Sequence, residues 1–212
     1  MQEKLIIPGI LTGSMDDLAA KVETAKAFAE RVSIDVIDGV YADNLTVMPE
    51  DLREIDFGRL QVDVQLMTVE PSDYLGQVFA MHAHRVFGHV EKIGSAEEFR
   101  RQSEGYELMW GWGLDVYTPL EAVEKEALLA ADGILLMAVK AGFSGQKYHD
   151  ISSKILGLRE MGYAGDIVVD GGMDEETIPP TLKAGANQFS VTSSIWEAKE
   201  PALQYARLTG LL

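Results

Sequence analysis

The segment ILLMAVKAGFSGQK, residues 134–147, is an apolar run that leads directly into a glycine-rich loop. Two other segments have a similar arrangement: DVIDG at 35–39 and VDGGM at 169–173 each end an apolar run with an aspartate near glycine. Parallel α/β barrels keep their functional residues in the loops that follow their strands. The three segments therefore predict a parallel barrel whose site lies at the carboxyl ends of its strands.

Apolar runs alternate with stretches of helical period along the whole chain. Strands are predicted at 5–8, 32–35, 62–67, 85–89, 107–114, 134–139, 167–169 and 188–191. Helices are predicted at 14–30, 71–81, 96–103, 119–131, 151–161, 174–184 and 201–208, with more loop than helix at 44–60. Pro179 and Pro180 should shorten or kink the helix at 174–184.

The number of strands separates two possible α/β architectures. A doubly wound open sheet shares the alternation of strands and helices but usually has fewer strands. Eight strands, with no linker and no break in composition, instead predict a single (β/α)8 barrel domain over residues 1–212.

Composition restricts the classes of partner. The 212 residues carry a net charge of −16 and include no cysteine, which excludes disulfides and thiolate metal sites. Because an acidic surface repels nucleic acid and anionic membranes, neither is expected as a partner. The N-terminal residues lack the long apolar segment of a signal peptide, so we expect a cytoplasmic protein.

Two aspartates are the candidate catalytic residues. Asp35 ends the second predicted strand and Asp170 ends the seventh, which places them on roughly opposite sides of a barrel mouth. Two carboxylates on either face of a carbon can remove a proton and return one, and this inverts a stereocentre. A lone aspartate at a strand end is more often a cap or turn residue. Two of them in similar contexts favour catalysis.

Glycine-rich and polar loops follow the last three predicted strands. Loops in this position commonly hold a phosphate through backbone N–H groups. The residues predicted to bind a phosphorylated substrate there are Gly142, Ser144, Gly145, Gly171, Gly172, Thr192 and Ser193.

Together these segments resemble the ribulose-phosphate 3-epimerase family over nearly the whole chain. PGIL at 8–11 resembles that family's PSIL, DVIDG with Asn44 resembles DVMDG with its asparagine, and DVQLM at 63–67 resembles DVHLM. HVE at 89–91 resembles HAE, TPL at 118–120 resembles TPL, MAVKAGFSGQK at 137–147 resembles MSVNPGFGGQK, and VDGG and TSSIW resemble VDGG and GSAIF. The resemblance implies a (β/α)8 barrel that binds a phosphorylated ketose and usually forms a homo-oligomer.

The resemblance also implies a divalent metal, held by two histidines and two aspartates, which stabilises an enediolate. The aspartates correspond to Asp35 and Asp170, but Ser33 and Gln65 stand at the histidine positions. Losing two imidazoles removes the ligands that favour zinc and similar metals. Two carboxylates, a hydroxyl and an amide oxygen remain weak candidate ligands for Mg²⁺ or Mn²⁺. No cofactor is therefore assigned from the sequence.

Other departures and matches also fall at the expected site. The serine of PSIL is replaced by Gly9, and the asparagine-proline pair before the phosphate loop is replaced by Lys140 and Ala141. Met67 and Met137 match the family's apolar cap, although a methionine at a strand end is usually barrel packing. The remaining candidate substrate contacts are Gln65, Lys140 and His89, the last because it ends a predicted strand.

These residues leave three functions open. The first is a ketose-phosphate 3-epimerase with altered or absent metal dependence, in which Lys140 or a weakly bound Mg²⁺ would stabilise the enediolate. The second is a Schiff-base aldolase that uses Lys140, by analogy of fold alone. The third is a non-catalytic barrel that binds a sugar phosphate. The first is favoured, because the phosphate loops are kept while the changes cluster at the site.

Overall fold

Short runs rich in valine, isoleucine and leucine form the strands of this chain, as their β propensity predicts. The computed structural model describes residues 2–212, in which eight parallel strands close into a barrel in sequence order. The strands are β1 Leu5–Ile10, β2 Arg31–Ile37, β3 Gln61–Met67, β4 Arg85–His89, β5 Met109–Leu114, β6 Gly133–Met137, β7 Asp166–Asp170 and β8 Gln188–Val191. The predicted (β/α)8 barrel is confirmed.

Helices connect the strands and cover the outside of the barrel. They are α1 Met15–Ala25, α2 Leu75–Ala80, α3 Ala96–Gly105, α4 Lys125–Ala130, α5 Ser152–Glu160, α6 Ile178–Ala184, α7 Ser193–Trp196 and α8 Pro201–Thr209. The segment predicted as mostly loop contains only the 3-10 turn Asp51–Glu54. Within residues 2–212 no helix has the length and apolar character needed to cross a membrane.

Several helices are shorter than predicted, and three of them have a clear local reason. α1 starts after its Ser14 cap as expected but ends at Ala25, where a backbone turn takes over. The predicted helix at 119–131 is broken, because Val123 is extended and leaves a 3-10 turn before α4. α6 begins only at Ile178, because proline lacks an N–H group and fits only the first turn of a helix.

Side chains along each strand point alternately outward, toward the helices, and inward, into the barrel. The core therefore has an outer part between strands and helices and an inner part inside the barrel. Trp110 and Trp112 on β5 point outward, where Trp112 packs on Phe99 of α3 and donates a hydrogen bond to the Ala127 carbonyl. The glycines between and after them, Gly111 and Gly113, face the interior and leave room for larger side chains from β4. The tryptophans therefore serve packing, as the alternation predicts.

A charged layer closes the amino-terminal end of the barrel interior. The buried Arg85 guanidinium contacts Asp63 and Asp166 and donates a hydrogen bond to Gln188. Above this layer the Phe87 ring fills space that the side-chain-free Gly111 and Gly133 leave open. The interior is thus filled from below, and the space for a ligand lies at the carboxyl ends of the strands.

Candidate active site

A cavity of about 480 Å³, counted with the part open to solvent, lies at the carboxyl ends of the strands. It is lined by eleven residues that the sequence singled out: Asp35, Met67, Met137, Gly142, Ser144, Gly145, Asp170, Gly171, Gly172, Thr192 and Ser193. Six further residues complete the lining: Leu11, Val139, Phe143, Gln146, Met173 and Ser190. The structure therefore brings most of the predicted site residues to one place.

Hydrogen bonds between Thr46 and the backbone around Asp35 fix the position of Asp35 at the cavity. Asp35 lies on β2, where the Thr46 hydroxyl donates a hydrogen bond to the Asp35 carbonyl at 2.7 Å and accepts one from the Ile37 N–H at 2.8 Å. Three residues later, on the exit loop of the strand, Asp38 accepts hydrogen bonds from the Val40 and Tyr41 N–H groups. The first aspartate of DVIDG thus reaches the cavity, and the second orders the loop.

The two candidate catalytic carboxyls share a buried environment that disfavours charge. Burial raises the pKa of Asp35 well above its ordinary value, and the nearby charge of Asp170 raises it further. Burial also raises the pKa of Asp170, to about 6, although the Ser190 hydroxyl, His89 and the Gly171 N–H act in the opposite direction. Since two close carboxyls resist ionising together, the pair holds a proton more firmly than two separate aspartates would.

Gln65 lies directly beneath the two carboxyls on β3 and is fully buried. One end of its amide lies 3.2 Å from Asp35 Oδ1 and 3.1 Å from Asp170 Oδ2. The other end lies 2.9 Å from His89 Nε2 and 3.1 Å from Met137 Sδ. Gln65 therefore joins the carboxyl pair to His89 below the cavity floor, and does not itself line the cavity.

The residues present do not fit the metal centre that the family resemblance implies. Among residues 2–212 no three His, Cys, Asp or Glu side chains are arranged to hold a metal ion. Ser33, at one of the two altered ligand positions, is buried and offers a neutral hydroxyl. Gln65, at the other, places its amide within hydrogen-bonding distance of both carboxylates, where a cation would need an unoccupied position.

Glycines with left-handed backbone angles shape the other side of the cavity. Gly142, Gly145, Gly171 and Gly172 have φ values of 125°, 75°, 102° and 66°, which side chains disfavour. A Cβ on Gly171 would also lie 2.5 Å from a methyl group of Val139. These close turns bring backbone to the cavity wall. The described lining contains no lysine, arginine or histidine, so an anion there would depend on N–H and hydroxyl donors.

Gly9 on β1 lies against two hydroxyl groups that line the β8 side of the cavity. A Cβ on Gly9 would lie 2.6 Å from Thr192 Oγ1 and 2.8 Å from Ser190 Oγ. Two hydroxyl groups from β8 and its loop therefore occupy the space that a side chain at position 9 would need. The Trp196 indole N–H also donates a hydrogen bond to the Gly9 carbonyl, which fixes the strand against α7.

Three predicted substrate contacts, Gln65, Lys140 and His89, lie outside the cavity. Lys140 is exposed and lines a neighbouring depression together with Tyr41 and Glu91, because β6 ends at Met137 and Val139 takes the inward position. His89 is fully buried, with its ring packed over Gly113, and does not line the cavity. The role of these residues as substrate contacts therefore stays a prediction.

Sequence reasoning also missed lining residues that carried a signal. Gln146 belongs to the GFSGQK segment, and its side chain donates hydrogen bonds to the carbonyls of Lys140 and Phe143, which hold that loop together. Ser190 lies two residues before Thr192 on the same face of β8, so period-two alternation could have identified it. Leu11, Val139 and Met173 are apolar residues with no such signal.

Solved barrels share this architecture with little sequence identity. The 3-hexulose-6-phosphate synthase structure covers 99% of this chain and 99% of its own, with a TM-score of 0.67 and 16% identity. The phosphoribosyl anthranilate isomerase from Thermococcus kodakaraensis covers 99% and 98%, with a TM-score of 0.67 and 14% identity. At such identities the likeness shows the fold alone.

Sequence comparison gives a more specific result. The ribulose-phosphate 3-epimerase of Aquifex aeolicus (strain VF5) is 32% identical, covering 99% of this chain and 97% of its own. The ribulose-phosphate 3-epimerase of Rhodobacter capsulatus is 31% identical, covering 91% and 86%. The family model described as the ribulose-phosphate 3 epimerase family matches residues 5–196. The chain therefore belongs to the ribulose-phosphate 3-epimerase family and is an isomerase-type barrel within it.

Proposed function

We propose that this chain inverts the configuration of the carbon next to the carbonyl of a phosphorylated ketose. The observation that carries this proposal is the pair of buried carboxyls, Asp35 and Asp170, which line one cavity and are joined through Gln65. A carbon held between them would present one face to each carboxyl. The names of the relatives point to ribulose phosphate and to its third carbon.

The protonation of the pair suits proton transfer in both directions. Near neutral pH one carboxyl is ionised and acts as the base, while the other keeps its proton and acts as the acid. The base removes the proton beside the carbonyl, which leaves an enediolate. The protonated carboxyl donates a hydrogen bond to the growing negative charge and then delivers its proton to the opposite face. The pair ends with its proton on the other carboxyl.

The phosphate of the substrate is proposed to bind at the glycine-rich wall. Gly142, Gly145, Gly171 and Gly172 turn backbone toward the cavity, and Ser144 and Ser193 add hydroxyl groups. Because no cation lines this wall and the chain carries a net charge of −16, binding must be local and short-range. We expect affinity for the phosphate to weaken little with salt, since the donors are dipoles and not surface charges.

Proton NMR of ribulose 5-phosphate in D₂O tests the proposal. Purified protein should introduce deuterium at C3 and produce the epimeric ketose. Binding of the sugar phosphate without any exchange, with EDTA and again with added Mg²⁺ or Mn²⁺, would instead support a non-catalytic barrel. Ribulose without its phosphate serves as the matched substrate control.

A Schiff-base aldolase receives less support. Lys140 is exposed and lines the neighbouring depression, away from the carboxyl pair. A Schiff-base lysine has to face the substrate carbonyl and to be desolvated. Borohydride treatment with ribulose 5-phosphate should therefore add no mass to the protein. A covalent adduct at Lys140 would contradict this assignment.

A further inference from the structure

The inference concerns Gln65 and rests on the proposed function. An amide has two ends of similar size, so its orientation is assigned from its neighbours. If its oxygen faced Asp35 and Asp170, that oxygen would lie 3.2 Å from Asp35 Oδ1 and 3.1 Å from Asp170 Oδ2 with no donor of its own. If its nitrogen faces them, the two N–H groups donate to Asp35 Oδ1 and Asp170 Oδ2, and the oxygen accepts from His89 Nε2–H at 2.9 Å. The second orientation gives a hydrogen-bond partner to both aspartate oxygens, to both ends of the Gln65 amide and to His89 Nε2.

A chain of hydrogen bonds leads from the buried His89 through Tyr41 to the exposed Glu91 and supports this orientation. The Tyr41 hydroxyl lies 3.0 Å from His89 Nδ1 and 2.9 Å from Glu91 Oε2. Because the Glu91 carboxylate can only accept, the single Tyr41 hydroxyl proton goes to Glu91, and Tyr41 in turn accepts a hydrogen bond from His89 Nδ1–H. When His89 also carries a proton on Nε2, that N–H points at Gln65 and holds the Gln65 oxygen away from the two carboxyls.

Glu91 anchors the far end of this chain. Its Oε1 accepts a hydrogen bond from the Asp115 N–H at 2.7 Å, and its Oε2 lies 3.4 Å from His89 Nδ1. Burial alone would raise the pKa of Glu91, but the hydrogen bonds and charge of His89 outweigh this and lower it to about 2. The ring of His89 packs against Gly113, in space that a Cβ atom at that position would fill.

We propose that the Gln65 amide takes the place of a metal cation between Asp35 and Asp170, and that His89, Tyr41 and Glu91 are positioning residues that fix it there. A neutral NH₂ group stabilises both carboxylates by hydrogen bonds and keeps them apart at a set distance. It also leaves no oxygen ligand facing the pair from below. The exchange reaction of this chain is therefore independent of divalent metal.

Electron paramagnetic resonance of Mn²⁺ tests the proposal without relying on activity. Adding the wild-type protein to Mn²⁺ should leave the free-ion signal unchanged, and C3 exchange should proceed equally with EDTA and with Mn²⁺. Stoichiometric loss of the free-ion signal, or exchange that needs Mn²⁺, would overturn the proposal and turn the amide oxygen toward the pair. If exchange is absent under both conditions, the proposed function fails, and the Mn²⁺ titration still decides the role of Gln65.

Substitution of Gln65 provides a second, directional test. Gln65→Glu replaces the two donors with a third carboxylate, so exchange should fall at least about 100-fold and Mn²⁺ binding should appear. Gln65→Leu removes the donors without adding a ligand, so the acid limb of the pH profile should move up by about one unit with no Mn²⁺ binding. A purely structural role would change the amount of folded protein but would not move the pH profile.

Gln61→Glu is the matched control. Gln61 lies on the same strand, β3, at the opposite end of the barrel, where it is exposed and accepts hydrogen bonds from Arg31. The same chemical change there should leave both exchange and Mn²⁺ binding at wild-type levels. Equal effects of the two substitutions would show that the added charge, and not the position of Gln65, is responsible, and would contradict the proposal.

Discussion

Thr192 holds its hydroxyl oxygen 2.6 Å from the point that a Cβ atom on Gly9 would occupy. The two residues lie on neighbouring parts of the barrel, since β1 pairs with β8 through Pro8 and Val191. In the family pattern that the chain resembles, a serine stands at position 9 and a glycine at position 192. This chain therefore carries a hydroxyl group on Thr192, directly after β8, where the pattern carries one on β1. The glycine at position 9 leaves the space that the Thr192 side chain occupies.

The first prediction follows from this exchange of positions. Gly9→Ser alone should destabilise the fold by about 1–3 kcal/mol, because the new side chain overlaps Thr192 and Ser190. The double variant Gly9→Ser with Thr192→Gly should recover most of that loss. Urea denaturation of the two single variants and the double variant measures the coupling. Additive losses would show that the residues do not share this space.

The second prediction concerns the pH dependence of catalysis. The base must be ionised, so exchange should fall as the pH drops below about 6, the pKa to which burial raises Asp170. Exchange should also fall at higher pH, when the remaining proton of the pair leaves Asp35, whose pKa burial raises well above its ordinary value. Initial rates of deuterium incorporation between pH 4 and pH 10 should give a bell-shaped profile. A flat profile from pH 4 to pH 7 would contradict the assignment of the base.

The third prediction uses Asp170→Asn. The change should abolish C3 exchange and leave the affinity for the sugar phosphate largely intact, because the glycine-rich wall is unchanged. Isothermal titration with ribulose 5-phosphate checks the affinity, and NMR checks the exchange. Surviving exchange would rule out the two-carboxyl mechanism.

The same variant tests the cost of the buried charge, which is the fourth prediction. The pKa of Asp170 is about 6 in the folded protein and 3.8 in the unfolded chain. The protonated Asp170 carboxyl therefore adds to the free energy of unfolding in full below pH 3.8, and this contribution is lost as the pH rises through about 6. At pH 8 Asp170→Asn should therefore be more stable than wild type by on the order of 2 kcal/mol. At about pH 3, below both pKa values, the difference should vanish. Urea denaturation at the two pH values measures it, and a pH-independent difference would contradict the argument.

The fifth prediction addresses the charged layer at the other end of the barrel. Arg85→Leu should cost about 3–5 kcal/mol of folding stability, because it removes the close partner of the buried Asp63 and leaves only Arg31, whose Nη1 lies 3.9 Å away. Arg100→Leu is the control, since its pair with Glu104 is exposed on α3 and should contribute less than about 1 kcal/mol. Similar losses for the two variants would show that burial does not decide the strength of these ion pairs.

The sequence alone determined the barrel and the two carboxyls at its mouth. Alternation of short apolar runs with helical stretches is a local property, and parallel strands in a closed barrel must place Asp35 and Asp170 at the same end. Helix ends were predicted less well, because Val123 and the Pro179-Pro180 pair interrupt periodicity by backbone geometry. These interruptions depend on one or two residues within an otherwise helical pattern.

Only the tertiary structure decided what stands beside the carboxyls. The family resemblance implied that Gln65 stands at a ligand position, and the predicted strand placed Lys140 near the mouth, but neither could show which side chain enters the space between Asp35 and Asp170. The barrel register brings Gln65 and His89 together from adjacent strands and leaves Lys140 outside. Side-chain direction and hydrogen-bond satisfaction depend on neighbours distant in sequence, and for that reason the chemistry of the site appears only when the strands are closed.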